Sequence, residues 1–394
     1  MTMALEGLRV VDLSRTFAGP LSTMLLADNG ADVIKVEEPG AGDETRGWSP
    51  FWNGHSCMFL TFNRNKRGIT VNLKAPEGRD LILDLAKNAD VFVESFRVGT
   101  ADKMGLGYEE VRAVNPRIVY CSISGYGRTG PYAHKPGYDL ILQGFGGLIS
   151  TTGNPGEPPV RIGYSTVDVT AGLVAYSGMM TALMARERTG QGQRVEASLL
   201  EGQILTMGYH AISYFGTGLV PGPLGRGHPA IVPYQIFEAS DGYFIVGVAN
   251  DGLWRRFCTG LGLDHLVDDP KFAKNADRVT NRSELVGVLQ EMFLKETRAY
   301  WVDKLESAGV PVGPINRVDE ALNDPQTRAR DMVVSIPHPD IPDFQTFGTP
   351  LKLEGTPGSI RRPPPRLGEH TDEVLGEYGF SPETINSLRS KGVI

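Results

Sequence analysis

The first half of the chain alternates short apolar runs with stretches of helical character. Residues 20–29 are small and apolar, and residues 76–88 begin with Pro and Glu, which favour a first helical turn, so both stretches predict helices. Four apolar runs have the length of buried strands: residues 8–13, 31–36, 90–94 and 118–122. Strands that alternate with helices predict an α/β fold with a mostly parallel sheet covered on both faces.

The second half changes composition at residues 216–233, where glycine and proline predict a linker or an active-site loop. Beyond it, residues 234–249 predict a hairpin, helices follow between 253 and 305, and a tail rich in proline ends in a helix near 371–378. We therefore predict four parts: a large domain over 1–205, a linker over 206–233, a small domain over 234–325, and a C-terminal part over 326–394 that returns to the large domain.

Charge and cysteine content narrow the class of protein. Acidic residues outnumber basic ones 46 to 39, a net charge of −7, so we expect no nucleic-acid and no membrane partner. Cys57, Cys121 and Cys258 lack the spacing of a metal or redox motif, which predicts no metal and indicates a reducing compartment. The chain shows no signal-peptide pattern and no run of about 18 apolar residues, so the cytoplasm is the expected location.

General motifs for nucleotide and hydrolase chemistry are missing or out of context. There is no GxxxxGK[ST] loop, and the first predicted strand runs into SRTFAGP instead of a dinucleotide-binding turn. GYGRTG occurs at residues 125–130, but Pro131 follows it, and we interpret it as a loop. Neither a GxSxG elbow nor an HExxH pair is present. These absences argue against nucleotide-binding, serine-hydrolase and zinc-protease chemistry.

Two segments have a composition suited to binding. Residues 39–48 combine three glycines, an acid pair, an arginine and a tryptophan, which suits a binding loop or a solvated surface loop. A second segment concentrates four cations, Arg64, Lys66, Arg67 and Lys74. These cations predict either a phosphate site or a charged, solvated edge that blocks strand pairing.

Asp168 lies where an apolar run passes into a predicted helix that ends near Arg186. As a helix N-cap, its carboxylate would accept hydrogen bonds from the first helical N–H groups. As a functional group, it would be presented at a strand end of an open α/β sheet, where ligand clefts lie. The pattern leaves both roles open, and the small residues Ala171 and Gly172 would let a substrate come close.

Ordered segments along nearly the whole chain resemble the class III CoA-transferase family, which includes formyl-CoA transferases, carnitine CoA-transferases and 2-methylacyl-CoA racemases. The matching segments include LEGLRVVDLSRTFAGP, GADVIKVEEPGAGDETRGW, NRNKRGITVNLK, VFVESFRVGTADKMGLG, NPRIVYCSISGYGRTGPY, ARERTGQGQRVEASLLE and LGEHTDEVL. The resemblance implies a Rossmann-like large domain with a parallel sheet, a smaller α+β domain, and two subunits threaded through one another as an interlocked homodimer.

The resemblance also implies the chemistry. Asp168 matches the family nucleophile, which would attack an acyl-CoA to give a mixed anhydride and would then hold CoA as an aspartyl thioester. The implied substrates are acyl-CoA thioesters and carboxylic acids, with no tightly bound cofactor.

The binding residues implied by the resemblance lie in several segments. The family's CoA contacts fall on eight positions: Phe17, Ala18, Val71, Lys74, Ser95, Phe96, Lys103 and Tyr138. Trp48 matches a family tryptophan near the substrate. Gly225 and Gly227 correspond loosely to the mobile glycine cover of the formyl-CoA transferases.

Two departures from the formyl-CoA transferases bear on specificity. Phe17 stands where they have Gln, and Glu38 where they have Arg, which argues against oxalate or formate and for a more apolar substrate chain. We expect a succinyl-CoA donor and a short carboxylic or dicarboxylic acid acceptor. Arg15, Arg46 or Arg226 would bind a distal carboxylate.

Two other functions compete with CoA transfer. A 2-methylacyl-CoA racemase needs an acid and a base on opposite faces of the α-carbon, and family racemases have His where this chain has Tyr138, before Asp139. A non-catalytic acyl-CoA-binding protein would be expected to have lost the nucleophile, whereas Asp168 is present. Both comparisons favour transfer.

Overall fold

The computed structural model describes residues 2–394, which form two compact units. Unit 1 contains residues 2–148, Arg161–Gly216 and Pro325–Ile394, and unit 2 contains Ile149–Val160 and Thr217–Asp324. Unit 1 is therefore built from separate parts of the sequence, and both chain ends belong to it.

The two units contain strands and helices in alternation. The strands are β1 Arg9–Asp12, β2 Asp32–Glu37, β3 Phe51–Trp52, β4 His55–Ser56, β5 Lys66–Thr70, β6 Val91–Glu94, β7 Val119–Ser124, β8 Gln193–Ser198, β9 Gly227–His228, β10 Ile231–Ala239, β11 Gly242–Gly247, β12 Val312–Pro314, β13 Val333–Ser335 and β14 Gln345–Phe347. The helices are α1 Ala18–Asp28, α2 Cys57–Thr61, α3 Pro76–Lys87, α4 Thr100–Lys103, α5 Tyr108–Val114, α6 Asp139–Phe145, α7 Thr166–Thr189, α8 Leu199–Met207, α9 Tyr209–Thr217, α10 Asp251–Leu261, α11 Asn275–Thr280, α12 Arg282–Phe293, α13 Arg298–Ser307, α14 Val318–Asn323, α15 Pro325–Ala329, α16 Thr371–Glu377 and α17 Pro382–Ser390.

The sheet of unit 1 has six parallel strands in the order β5-β2-β1-β6-β7-β8. Successive residues of a strand face opposite layers. Val10 packs in a core with residues of α1 and α7, whereas Val11 packs in a second core with residues of α3 and α16. The predicted α/β fold, with a parallel sheet covered on both faces, is confirmed.

The C-terminal tail covers the outer edge of β5. Gly68 donates its N–H to Nδ1 of His370 at 3.2 Å and accepts the N–H of His370 at 2.9 Å. Thr70 donates its N–H to the hydroxyl of Thr371 at 3.2 Å. The tail thus satisfies backbone groups that an edge strand otherwise leaves open.

Several local predictions differ from the structure. The predicted helices and strands of unit 1 are present with ends shifted by one or two residues, and the strand Lys66–Thr70 was not predicted. The segment 209–217, assigned to the linker, is helix α9. No strand precedes Asp168, because residues 161–165 are irregular, so the predicted strand-to-helix junction is wrong.

Helix α7 is long and apolar enough to cross a membrane by length and composition, which the sequence analysis did not expect. The core helix of an α/β domain passes the same test. Ala171, Ala175 and Met179 of this helix are completely buried in the core beneath the sheet. This packing accounts for part of its apolar character, whereas Leu173 and Met184 of the same helix are exposed in the single chain.

A buried cluster of four charged side chains lies at the carboxyl ends of β1 and β2. Lys66 Nζ is 3.1 Å from Asp12 Oδ2, and Lys35 Nζ is 3.0 Å from Asp43 Oδ2, with all four side chains inaccessible to solvent. The hydroxyls of Ser14 and Thr23 also donate to Asp12. Burial alone would raise the pKa of Asp12, but the two lysines hold it below its usual value. We call Asp12, Lys35, Asp43 and Lys66 the ion cluster.

The predicted basic segment is mostly structural. Arg64 is fully buried and pairs with Asp28 at 2.6 Å, and Lys66 belongs to the ion cluster. Arg67 pairs with Asp32 at 2.6 Å and with two acids of α16. Neither the phosphate site nor the solvated edge is therefore correct for these three cations, since each is buried and paired with carboxylates of the same chain.

Unit 2 is an α+β unit, as expected for the small domain. Its antiparallel sheet has the order β12-β11-β10-β9, and the predicted hairpin is formed by β10 and β11. Its core is aromatic, with Trp254, Phe257, Phe293 and Trp301 packed edge to face or stacked.

We predict that the ion cluster is essential for stability and that an exposed ion pair is not. Lys66→Met should lower the free energy of unfolding by about 3–5 kcal/mol, because it leaves Asp12 buried without its partner. Lys74→Met is the matched control; it removes the pair with Glu38, whose lysine is 79% exposed, and should cost under about 1 kcal/mol. Urea unfolding at pH 7 measures both losses, and equal losses would contradict the prediction.

Candidate active site

A cavity of about 180 Å³ opens in unit 1 at the carboxyl ends of β1, β6 and β7. Loops after these strands and the first turn of α7 form its walls: residues 15–18, 44, 95–98, 123–125, 133, 135–138, 168 and 199. Seven predicted site residues line it: Arg15, Phe17, Ala18, Ser95, Phe96, Tyr138 and Asp168. This end of a parallel sheet is the usual place for a ligand cleft.

Asp168 is the third residue of α7, and its side chain is partly buried. It is therefore not the N-cap, which is Ser165, and the Ser165 side chain makes no capping hydrogen bond. Gly172, one turn further along, permits the close approach of α7 to α1: a Cβ at this position would lie 2.7 Å from the carbonyl oxygen of Ala18. This close packing places Asp168 beside the loop that carries Phe17.

The N-terminus of α7 is capped from a distance by Asp139, the first residue of α6. Its Oδ1 accepts the N–H of Val167 at 2.9 Å and the N–H of Asp168 at 3.3 Å. Its Oδ2 accepts a hydrogen bond from Gln143 at 2.6 Å. The capping role considered for Asp168 thus belongs to another aspartate.

The pKa of Asp168 is raised from 3.8 to about 7, chiefly by burial and in addition by the charge of Asp139. At pH 7 about half of the molecules therefore carry Asp168 as a carboxylate. Such a group is available as an anionic nucleophile near neutral pH and is more basic than an exposed aspartate.

The loop after β1 is held by the ion cluster. Thr16 has φ +71°, a conformation uncommon for a residue with a side chain, and its N–H points to the carboxylate of Asp43 at 3.2 Å. Arg15 donates its N–H to the hydroxyl of Ser95 at 2.9 Å. These bonds link the loops after β1 and β6, from which much of the cavity wall is made.

Aromatic and cationic groups share the cavity. The guanidinium of Arg15 lies over the ring of Phe96, 5.1 Å from its centroid. Arg97 and Lys135 also line the cavity, although the sequence analysis did not select them. Arg97 follows β6 by three residues, so the strand-end rule applied to Asp168 could have found it. The cations suit an anionic ligand.

Three predicted CoA contacts do not line this cavity. Val71 is 1% exposed and packs in the core beside α3. Lys74 projects into solvent and pairs with Glu38 at 2.9 Å. Lys103 is exposed on α4. A buried valine side chain cannot contact a ligand, but the two lysines remain accessible.

Two of the three arginines proposed for a distal carboxylate are engaged elsewhere. Arg46 donates two hydrogen bonds of 2.7 Å to Glu37. Arg226 lies in unit 2, 3.8 Å from a carboxylate oxygen of Glu238. Trp48 contacts Phe17 edge to face, with 6.3 Å between ring centroids, and does not itself line the cavity.

The two predicted cover glycines belong to unit 2. Gly225 has φ +64° and donates its N–H to Gly153 at 2.9 Å. Gly227 lies in β9 and pairs with Gln235 of β10. The segment is therefore partly tied by backbone hydrogen bonds in this conformation.

One group among the described residues has side chains of metal-binding type, namely His55, His338 and Asp340, whose ligand atoms lie within 4.8 Å of one another. Arg366 donates to both carboxylate oxygens of Asp340. Nδ1 of His338 accepts the N–H groups of Asp340 and Ile341, which leaves its proton on Nε2. These bonds engage His338 Nδ1 and both carboxylate oxygens of Asp340 within the protein.

Comparisons with known proteins agree with the fold and show the family. The family model for CoA-transferase family III matches residues 5–371. Succinyl-CoA:glutarate CoA-transferase from Homo sapiens is 40% identical over 392 residues, covering 99% of this chain and 90% of that protein. Succinate–glutarate CoA-transferase from Agrobacterium fabrum is 39% identical over 380 residues, covering 95% of each. The crystal structure of a CAIB/BAIF family protein from Brucella suis matches with a TM-score of 0.85 and 39% identity, covering 96% of this chain and 100% of that chain.

The parallel α/β fold and its full-length relatives define an enzyme of the CoA-transferase class. The chain belongs to CoA-transferase family III, as the sequence resemblance implied, and it catalyses CoA transfer between acids.

We predict that ionisation of Asp168 destabilises the fold. Its folded pKa of about 7 lies above the ordinary value of 3.8, so stabilisation by the protonated form is complete below pH 3.8 and is lost as pH rises through 7. Asp168→Asn stays neutral, so its stability relative to wild type should rise by about 1–2 kcal/mol between pH 5 and pH 8, a value reduced for partial exposure.

Urea unfolding at one protein concentration and at both pH values measures this change. Asp303→Asn, at an exposed position of α13, is the control and should show no such rise. A pH-independent difference between wild type and Asp168→Asn would contradict the assignment.

Proposed function

We propose that this enzyme moves CoA from succinyl-CoA to a short carboxylic or dicarboxylic acid by covalent catalysis at Asp168. The observation that carries the proposal is a partly buried carboxylate with a pKa of about 7 in a cavity that also holds three cations. The two relatives named for succinate or succinyl-CoA and glutarate support this choice of acids.

The reaction proceeds in balanced acyl-transfer steps. A carboxylate oxygen of Asp168 attacks the thioester carbonyl, and the C–S bond breaks to release the CoA thiolate and leave a mixed anhydride. The thiolate then attacks the Asp168 carbonyl, so that the donor leaves as a free carboxylate and an aspartyl-CoA thioester forms. The acceptor carboxylate runs the same steps in reverse. The activation of the thioester is retained throughout, because no water is consumed.

The raised pKa of Asp168 suits this sequence. Nucleophilic strength increases with basicity, so an aspartate with a pKa of about 7 attacks a thioester more readily than an exposed aspartate does. About half of the side chains remain anionic at neutral pH, which keeps the reactive form abundant.

Arg15 is the best candidate for the distal carboxylate of a dicarboxylic acid. It lines the cavity, whereas Arg46 is paired with Glu37. Arg97 and Lys135 are then available for the phosphates of CoA, and Phe96 for its adenine. Phe17 adds an apolar surface suited to the methylene groups between two carboxylates.

The racemase alternative is less well supported. Asp139 is buried and accepts three hydrogen bonds, so it is not free to act as a second acid or base. Tyr138 is 54% exposed and stands where family racemases have His.

We predict that Asp168 carries the covalent intermediate. Wild-type enzyme incubated with succinyl-CoA and a panel of carboxylic acids should form new acyl-CoA products, with glutarate among the acceptors, as measured by mass spectrometry. Hydroxylamine or borohydride should trap a modified peptide that contains Asp168. Asp168→Asn has no anionic oxygen and should lose transfer while still binding CoA.

The control is Asp303→Asn, which should retain full transfer. Label on another residue, or wild-type turnover by a folded Asp168→Asn protein, would refute the mechanism. Solvent deuterium entering the α-position of a 2-methylacyl-CoA at the turnover rate would instead favour the racemase.

We further propose that the enzyme lies in the cytoplasm, because its three cysteines are free. We also propose that it is an interlocked homodimer. The apolar side chains of α8 and α9 are exposed in the single chain: Leu205 by 69%, Ile212 by 69% and Phe215 by 75%. No residue of α9 is buried in the described structure, although the helix is rich in apolar residues. An apolar surface of this extent supports a subunit interface.

If two chains are threaded, dilution should not produce monomers, because separation requires unfolding. Light scattering after size exclusion should therefore give a dimer at every concentration tested. Phe215→Glu should reduce the yield of soluble dimer, whereas Val318→Glu, at a position 77% exposed on α14, should not. A folded monomer that forms reversibly on dilution would contradict the threaded dimer.

A further inference from the structure

Asp139 connects two helices next to the proposed nucleophile. It begins α6, is 8% exposed, and accepts the N–H groups of the second and third residues of α7, Val167 and Asp168. A residue capping its own helix would satisfy these two groups from the preceding position. Here the cap comes from a residue 28 positions earlier than Val167.

A third residue supports this cap from the opposite side. Gln143 is completely buried and donates Nε2–H to Oδ2 of Asp139 at 2.6 Å. Its Oε1 accepts the N–H of Ile162 at 3.0 Å, in the irregular segment that leads into α7. The amide therefore fixes both the orientation of the Asp139 carboxylate and the path of the chain before the helix.

We propose that Asp139, supported by Gln143, is a positioning residue for catalysis: it holds the first turn of α7 so that the Asp168 carboxylate faces the cavity, and it keeps a negative charge beside that carboxylate. The inference rests on the proposed role of Asp168 as nucleophile. Asp139 itself touches neither the substrate nor the reacting atoms.

The geometry supports a positioning role more than a simple structural one. The hydrogen bond of 3.3 Å ends on the backbone N–H of Asp168 itself, so any displacement of Asp139 is passed directly to the nucleophile. An error of about 1 Å in the placement of a reacting group can cost about 100-fold in rate.

The charge of Asp139 adds a second effect. Its charge raises the pKa of Asp168, in addition to the larger contribution of burial. Other charged or titratable groups face the same cavity from its loops: Arg15, Glu44, Arg97, Lys135 and Tyr138. From α8 the cavity is lined by Leu199, which carries no charge.

Two variants separate the two effects. Asp139→Asn removes the charge, so the pKa of Asp168 should fall. Its amide oxygen can still accept the N–H of Val167, but its NH2 group then faces Nε2 of Gln143, so that hydrogen bond is lost as well. The midpoint of the acidic limb of kcat against pH should then move down by about one pH unit. Gln143→Leu leaves the charge but removes the support, so kcat should fall by about tenfold or more while this midpoint stays in place.

In both variants the KM for the acyl-CoA should change little, because neither residue lines the cavity. Asp303→Asn again serves as the control with wild-type behaviour. An effect confined to thermal stability, with kcat and the pH midpoint unchanged in both variants, would overturn the inference. If only one of the two variants folds, it still tests the half of the proposal that it addresses.

Trapping distinguishes failure of this inference from failure of the proposed function. If wild-type enzyme forms no adduct on Asp168, the proposed function fails. If the adduct forms on Asp168 in wild type, and also forms at an unchanged rate and pH midpoint in Asp139→Asn and in Gln143→Leu, only the positioning role fails.

Discussion

Four charged side chains without access to water hold together the strands and loops at the end of the sheet where the candidate active site lies. Asp12 and Lys66 join β1 to β5, while Lys35 and Asp43 join β2 to the loop that follows it. Removing one member would leave an uncompensated charge in the interior, so the groups are retained together. Asp43 also accepts a hydrogen bond from the N–H of Thr16. The ion cluster thereby fixes the position of the cavity wall around Phe17.

The layered α/β architecture could be predicted from sequence because it follows from local pattern. Apolar runs such as residues 31–36 are buried on both faces, and this burial requires helices on either side. The strand Lys66–Thr70 was missed because it lacks such an apolar run, and its lysine and arginine side chains resemble a solvated edge. Their burial depends on acids far away in the chain, among them Asp12 and Glu373, which no local pattern reveals.

The candidate site was predictable only to the extent that a family resemblance could reach it. Asp168, Phe17 and Phe96 were found in this way, and they line one cavity. Asp139 was noticed only as the neighbour of Tyr138. It caps α7 from another helix, and such a cap leaves no pattern in the sequence next to the helix that it caps. Val71 stays a prediction, and its buried side chain leaves only its backbone for a ligand contact.

The tail that covers β5 has a consequence for the synthesis of the chain. The backbone groups of Gly68 that bond His370 are made early, whereas their partners leave the ribosome near the end of translation. During that interval the growing chain exposes an unpaired strand edge, which can join the edge of another nascent chain. The last residues to be made therefore also protect the sheet edge from aggregation between chains on the polysome. This effect is separate from their place in the finished enzyme.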